Sequence, residues 1–184
     1  MKTLYIIGGT MGVGKTTVCQ LLKHQLDRAV FLDGDWCWDA HPFAVTEETK
    51  AMVLDNICHL LNNFLACSAY EHVVFCWVLH QQEILDTLLA RLNTAGCRVE
   101  VVSLVCGESA LRRRLQRDME AGLRQPDVIE RSVARLPLYD SLRTRKLDVS
   151  SLTPPQAAAE ILRLAGEGDG ACAEPPASGI LNTL

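Results

Sequence analysis

Gly9-Thr10-Met11-Gly12-Val13-Gly14-Lys15-Thr16 fills every position of the pattern G-x-x-x-x-G-K-[ST]. The apolar run Leu4–Ile7 stands directly before it, and helical spacing from Thr17 to Leu26 follows. Strand, glycine-rich loop and helix in that order are the setting in which this pattern cradles phosphate. Glycines let backbone N–H groups turn inward around phosphate oxygens, and the helix behind presents its positive end to them. Lys15 supplies a cation for the β- and γ-phosphates, and Thr16 supplies a hydroxyl for Mg²⁺. Gly9, Thr10, Met11, Gly12, Val13, Gly14, Lys15, Thr16 and Thr17 are therefore the expected nucleotide-binding residues. ATP and Mg²⁺ are the expected ligands.

Outward from the loop, strands and helices alternate. Ala29–Leu32 reads as a short strand ending in Asp33-Gly34-Asp35. Thr46 reads as an N-cap with Glu47 and Glu48 in the first turn of a helix reaching about Ser68. Val73–Leu79 and Val99–Val105 are continuous apolar runs of the kind buried on both faces of a parallel sheet. Gln81–Leu92 and Glu108–Ala121 have helical spacing, and Pro126–Arg143 reads as a helix bent or interrupted at Pro137. Lys146–Val149 is a last short strand, and Pro154–Leu164 is a closing helix with proline in its first turn. The expectation is a three-layer α/β sandwich around a five-stranded parallel sheet, with residues 1–165 as one domain. Residues 166–184 are rich in Gly, Ala, Pro and Ser and are expected to be a disordered tail.

Composition narrows the partners. The chain has 184 residues, 22% of them charged, and a net charge of −4, so nothing draws it as a whole to nucleic acid or to an anionic membrane. No apolar stretch reaches membrane-spanning length. Met1 is followed almost at once by the first strand, which gives the expectation of a cytoplasmic protein without an export signal. The 8 cysteines are scattered without a C-x-x-C pair and read as reduced, partly buried thiols rather than a zinc site. A monomer or weak homodimer acting on a small molecule is expected.

Ligands of open parallel sheets bind at the carboxyl ends of the strands. That rule gathers the glycine-rich loop, Asp33–Trp38, His80 and the segment after Val105 along one edge. Asp33 and Asp35 can be acids of a site or simply an Asp-Gly-Asp turn. Trp36 and Trp38 can wall a pocket or fill a core. His80 can contact an acceptor or be structural. Seven arginines lie between positions 112 and 135, more than a solvated helix face needs. Of these, Arg124 and Arg135 are favoured over Arg112 and Arg113 as working cations. The run Val73–Leu79 lacks the acid that usually ends this strand in motor-type and AAA-type ATPases, where it polarises water; its absence weighs against those classes.

Four pieces together resemble the small P-loop kinases, the superfamily of nucleoside monophosphate, shikimate, gluconate and adenylylsulfate kinases and chloramphenicol phosphotransferase. They are the loop 9–16, Asp33-Gly34-Asp35, the stretch Leu111–Arg117 with Arg124, and Arg135-Leu136-Pro137-Leu138-Tyr139 with Leu147–Ser150 and Thr153-Pro154. The resemblance implies sheet order 2-3-1-4-5 and a short lid over ATP, near residues 112–126. By resemblance Lys15 would hold the transferring group, and Thr16 with Asp33 would serve the metal. Asp35 would take the proton of the acceptor hydroxyl. Arg114 or Arg117 would meet adenine or phosphate, Arg124 would close on the γ-phosphate, and Arg135 would face the acceptor or phosphate. Between Ala29 and Ala90 the only Lys or Arg is Lys50. Monophosphate kinases grip their acceptor with cations there. A neutral hydroxylated acceptor (sugar, nucleoside or antibiotic) is therefore expected, with Asp33, Asp35, Trp36, Trp38, His80 and Arg135 around it. The alternatives are a nucleoside monophosphate kinase and a module that binds ATP without turnover.

Overall fold

The computed structural model describes residues 1–124 and 127–166. The expected tail beyond Gly166, and Pro126 as the start of a helix, lie outside the described residues.

Five strands form one parallel sheet: β1 (Thr3–Gly8), β2 (Ala29–Asp33), β3 (His72–Cys76), β4 (Arg98–Val105) and β5 (Arg145–Asp148). Their order is β2-β3-β1-β4-β5, the order implied by the resemblance. The helices are α1 (Lys15–Gln25), α2 (Glu47–Ala66), α3 (Gln82–Arg91), α4 (Glu108–Glu120), α5 (Val128–Val133) and α6 (Pro154–Leu164). Because β1 is central and buried throughout, its side chains alternate between two cores. Tyr5 and Ile7 join Val74 and Cys76 under α1, α4 and α6. Leu4 and Ile6 join Val73 and Phe75 under α2 and α3. Each leucine or isoleucine so enclosed contributes roughly 1.5–3 kcal/mol.

Local signals set the helix ends. Thr46 caps α2 by accepting from the backbone N–H of Thr49 at 3.1 Å, and Val53, Ile57, Leu61 and Leu65 then line its buried stripe. Thr153 and Gln156 form the same reciprocal cap before α6, with Pro154 in the first turn.

Two expectations need correction. The segment ending at Arg143 is not one helix: α5 stops at Val133, and a short 3₁₀ turn (Leu136–Tyr139) replaces the rest. Pro137 has no N–H to give and crowds the carbonyl four residues back, so an α-helix cannot run through it. The apolar run expected to be strand as far as Leu79 ends as strand at Cys76. Leu79 has φ of +41°, a left-handed conformation that no strand accommodates. The freed segment is held by Tyr139, whose hydroxyl donates to the Val78 carbonyl.

Candidate active site

The loop between β1 and α1 takes its shape from glycine. Gly14 has φ of +105° with open space where a Cβ would be, so the backbone angle alone requires glycine there. Gly12 (φ +80°) is also pressed against α4: a Cβ there would lie 2.4 Å from Leu115 Cδ2. The loop is thereby seated on the helix that carries the arginines. Arg114 ties it further, donating to the Val13 carbonyl at 3.1 Å and to the Val149 carbonyl behind β5. Gly12→Ala is expected to destabilise the unliganded protein by about 1–3 kcal/mol. Displacing the loop should also weaken ATP binding. Thermal melts and an ATP titration check this; wild-type values in both would mean that the contact with α4 is dispensable.

Lys15, the first residue of α1, donates to the Thr10 carbonyl at 3.1 Å. Burial pushes its pKa down, against the nearby charges of Asp35 and Asp33. Thr16 donates its hydroxyl to Asp33 Oδ2 at 2.7 Å. Asp33 is only 6% exposed, and its other oxygen accepts the backbone N–H of Asp35 at 3.1 Å. Both oxygens of Asp33 are thus engaged. Asp35 is exposed and accepts the indole N–H of Trp77 on Oδ1 at 3.1 Å. Its pKa is raised, first by partial loss of water and then by the charge of Asp33, while Lys15, Trp77 and Arg124 pull it back.

These groups share a cavity of about 550 Å³. From the expected set, Met11, Gly12, Val13, Gly14, Lys15, Thr16, Thr17, Asp33, Asp35, Arg114, Arg117 and Arg124 line it. Val149, Leu152, Thr153, Pro154 and Ala157 form the wall beside Arg114. Arg124 is held by Asp118 at 3.2 Å. Asp118 and Trp77 were not legible as site residues in the sequence.

The other expected residues stand outside this cavity. Gly9 is packed beneath Leu104 and Val13. Thr10 is buried and donates its hydroxyl to the Ser132 carbonyl at 2.9 Å. Trp36 and Trp38 do not form one wall but part to opposite faces of the sheet. Trp36 stands edge-on to Phe31, a member of the core under α1, while Trp38 packs into the core under α2 against Phe43 and Trp77. Arg135 is half-buried with its guanidinium 4.0 Å from Met11 Sδ, one side chain away from the cavity. His80 lies in its field, and burial together with Arg135 lowers the imidazole pKa. The Nδ1 of His80 is buried without a hydrogen-bond partner. Arg112 is taken up by surface ion pairs with Glu108 and Glu130, both at 2.7 Å.

The profile of the AAA domain family matches residues 6–133, from β1 to the end of α5. The chain belongs to this family. No curated protein matches it. Among solved structures it is similar to a tunicamycin resistance protein of Deinococcus radiodurans, at 19% identity and a TM-score of 0.70 over 90% of this chain and 96% of that one. A gluconokinase from Sinorhizobium meliloti 1021 follows at 21% identity and a TM-score of 0.63, covering 89% and 94% of the two chains. A shikimate kinase from Aquifex aeolicus vf5 gives 18% identity and a TM-score of 0.59, covering 92% and 100%. The AAA domain chain thus has the fold of the small P-loop kinases. Family membership also corrects one inference: the acid missing from β3 does not by itself set a chain apart from AAA domains. Among the described residues no helix is long and apolar enough to cross a membrane.

Proposed function

We propose that this chain is an ATP-dependent kinase that transfers the γ-phosphoryl group to a hydroxyl of a neutral small molecule. The observation that carries the reading is the unequal pair of acids beside the loop. Asp33 is spent on Thr16 and on the backbone, while Asp35 keeps one oxygen open toward the cavity that holds Lys15 and Arg124. One acid organises the phosphate side and the other faces the acceptor. The known activities of gluconokinase and shikimate kinase support the reaction class.

In this reading the loop N–H groups and Lys15 bind the phosphates. The acceptor oxygen attacks the γ-phosphorus as the bond to the bridging β,γ-oxygen breaks, and Asp35 takes the hydroxyl proton. Charge spreads over the equatorial oxygens, where Lys15 and Arg124 meet it. Thr16 and Asp33 offer a hydroxyl and a carboxylate 2.7 Å apart, hard oxygen donors that suit Mg²⁺. Bound there with ATP, Mg²⁺ would neutralise phosphate charge. The remaining donors would be water and the phosphates themselves. Asp118 would release Arg124 when phosphate charge arrives, because the salt bridge is half-exposed and weak.

The acceptor is argued from charge. Lys15, Arg114, Arg117 and Arg124 line the nucleotide cavity, whereas the stretch Ala29–Ala90, which brings Asp33 and Asp35 to the acceptor, has Lys50 as its only Lys or Arg. A phosphate dianion there would lack a cation of its own, and a buried anion without a cation costs several kcal/mol. Nucleoside monophosphates are therefore expected to be poor acceptors compared with at least one neutral hydroxylated compound. The test is ADP release at fixed ATP–Mg²⁺ over a panel of monophosphates, nucleosides, sugars and aminoglycoside or phenicol antibiotics. Efficient phosphorylation of any monophosphate overturns the charge argument. A second reading, an acceptor carrying a carboxylate, is favoured by one observation: the guanidinium of half-buried Arg135 lies against the Met11 sulfur and, among the described residues, is in no ion pair with a carboxylate. Sugar acids belong in the same panel. If ATP raises the melting temperature and no acceptor speeds ADP release, the chain is a nucleotide-binding module.

A further inference from the structure

We infer that Trp77 is the positioning residue of Asp35: its indole N–H fixes one carboxylate oxygen so that the other, Oδ2, faces the acceptor and takes the proton. The inference rests on the kinase reading for its chemistry and on three separate observations for its geometry. The first is the hydrogen bond from Nε1 to Asp35 Oδ1 at 3.1 Å. The second is Gly34, between the two acids. A Cβ on Gly34 would stand 2.6 Å from Trp77 Cγ and 2.7 Å from Cδ1, so the indole lies against backbone that only glycine leaves bare. The third is the support behind the ring. Trp38 meets Trp77 edge to face, with centroids 6.4 Å apart and planes at 78°, and Phe43 backs Trp38 in turn at 4.8 Å.

The sheet explains why this residue can reach. Asp33 pairs with Cys76 across the β2–β3 ladder. Trp77 and Gly34 are the next residues on their strands, and both chains leave the sheet there. The indole thus occupies the end of β3, where other P-loop proteins carry an acid. A hydrogen-bond donor in that place suits a site whose acid has moved to β2. A carboxylate in water rotates freely, and holding it in one orientation before the acceptor arrives is the usual gain from such a partner.

Two measurements test this. The chain has three tryptophans. In ¹⁵N-indole NMR spectra, Trp36→Phe and Trp38→Phe assign the Trp77 signal by elimination. At one fixed pH that signal should move on Asp35→Ala, which removes the acceptor oxygen, and much less on Asp35→Asn, which keeps one. A signal indifferent to Asp35→Ala overturns the contact, and does so even if the chain proves not to be a kinase. With the best acceptor in hand, Trp77→Phe should lower kcat about tenfold, the rate equivalent of one charge-assisted hydrogen bond. The KM for ATP should hold. Unchanged kcat, or a KM for ATP that rises along with the fall in kcat, overturns the positioning role.

Discussion

Replacing Lys15 with alanine is expected to abolish phosphoryl transfer while leaving the fold intact. The ammonium group sits at the start of α1, bonded to the Thr10 carbonyl and facing the cavity that Asp33, Asp35 and Arg124 share. Charge delivered at a fixed point in a partly dehydrated site acts on the transition state without reorganisation. Removing such a donor typically lowers kcat by about 10²–10³ or more. Stability should follow a different course. Burial lowers the pKa of Lys15, so the folded state disfavours its charged form. That penalty is fully present below the folded pKa and fades as pH rises toward the unfolded value. At neutral pH the lysine is therefore no source of stability in the unliganded protein, and alanine removes no core packing. The checks are ADP release with the best acceptor and a melt without nucleotide. Wild-type turnover in the variant would remove the kinase reading at its root.

The loop and its lysine were legible because everything they need is contiguous: glycine at Gly12 and Gly14, then Lys15 and Thr16 at the helix start. The sheet order came from resemblance to other chains, since periodicity alone cannot say which strands are neighbours. Asp33 and Asp35 were legible as a pair, but their division of labour was not. It depends on Thr16, 17 residues away, and on Trp77, 42 residues away from Asp35. The register of two parallel strands brings Trp77 to Asp35, and spacing along the chain does not encode that register. Trp36 and Trp38 looked like one feature because they are two residues apart. Trp36 stays largely exposed, edge-on to Phe31, while Trp38 packs on Trp77 at the core under α2. The helix expected up to Arg143 failed at Pro137, a signal the sequence did contain, as an interruption rather than an end. Gly12 carried a second meaning that no motif states. Its missing Cβ makes room for Leu115, which couples the phosphate loop to α4.

Asp35→Asn is expected to lower kcat by about 10²–10⁴, the usual worth of a general base, while ATP affinity stays within a few-fold. Asparagine keeps the shape and can still accept the Trp77 N–H, so what is lost is the ability to take a proton. In the proposed reading ATP would be held mainly by the loop, Lys15 and the wall at Val149–Ala157 of the cavity, none of which the change disturbs. The sign of the stability effect is set by the raised pKa of Asp35. A carboxylate whose folded pKa is raised favours the fold most below its unfolded pKa, and that advantage disappears as pH rises through the folded value. At neutral pH the charged form is thus slightly unfavourable, with water at the exposed carboxylate screening the effect, and the variant should melt no lower than wild type. Asp33→Asn is the control. It places an amide where the Thr16 hydroxyl and a backbone N–H both donate, in a residue only 6% exposed, so it should lower stability and weaken ATP–Mg²⁺ binding together. Calorimetric ATP titrations and kcat for both variants separate the roles. If Asp35→Asn loses ATP affinity and keeps its turnover while Asp33→Asn does the reverse, the two acids exchange places and Asp33 is the base.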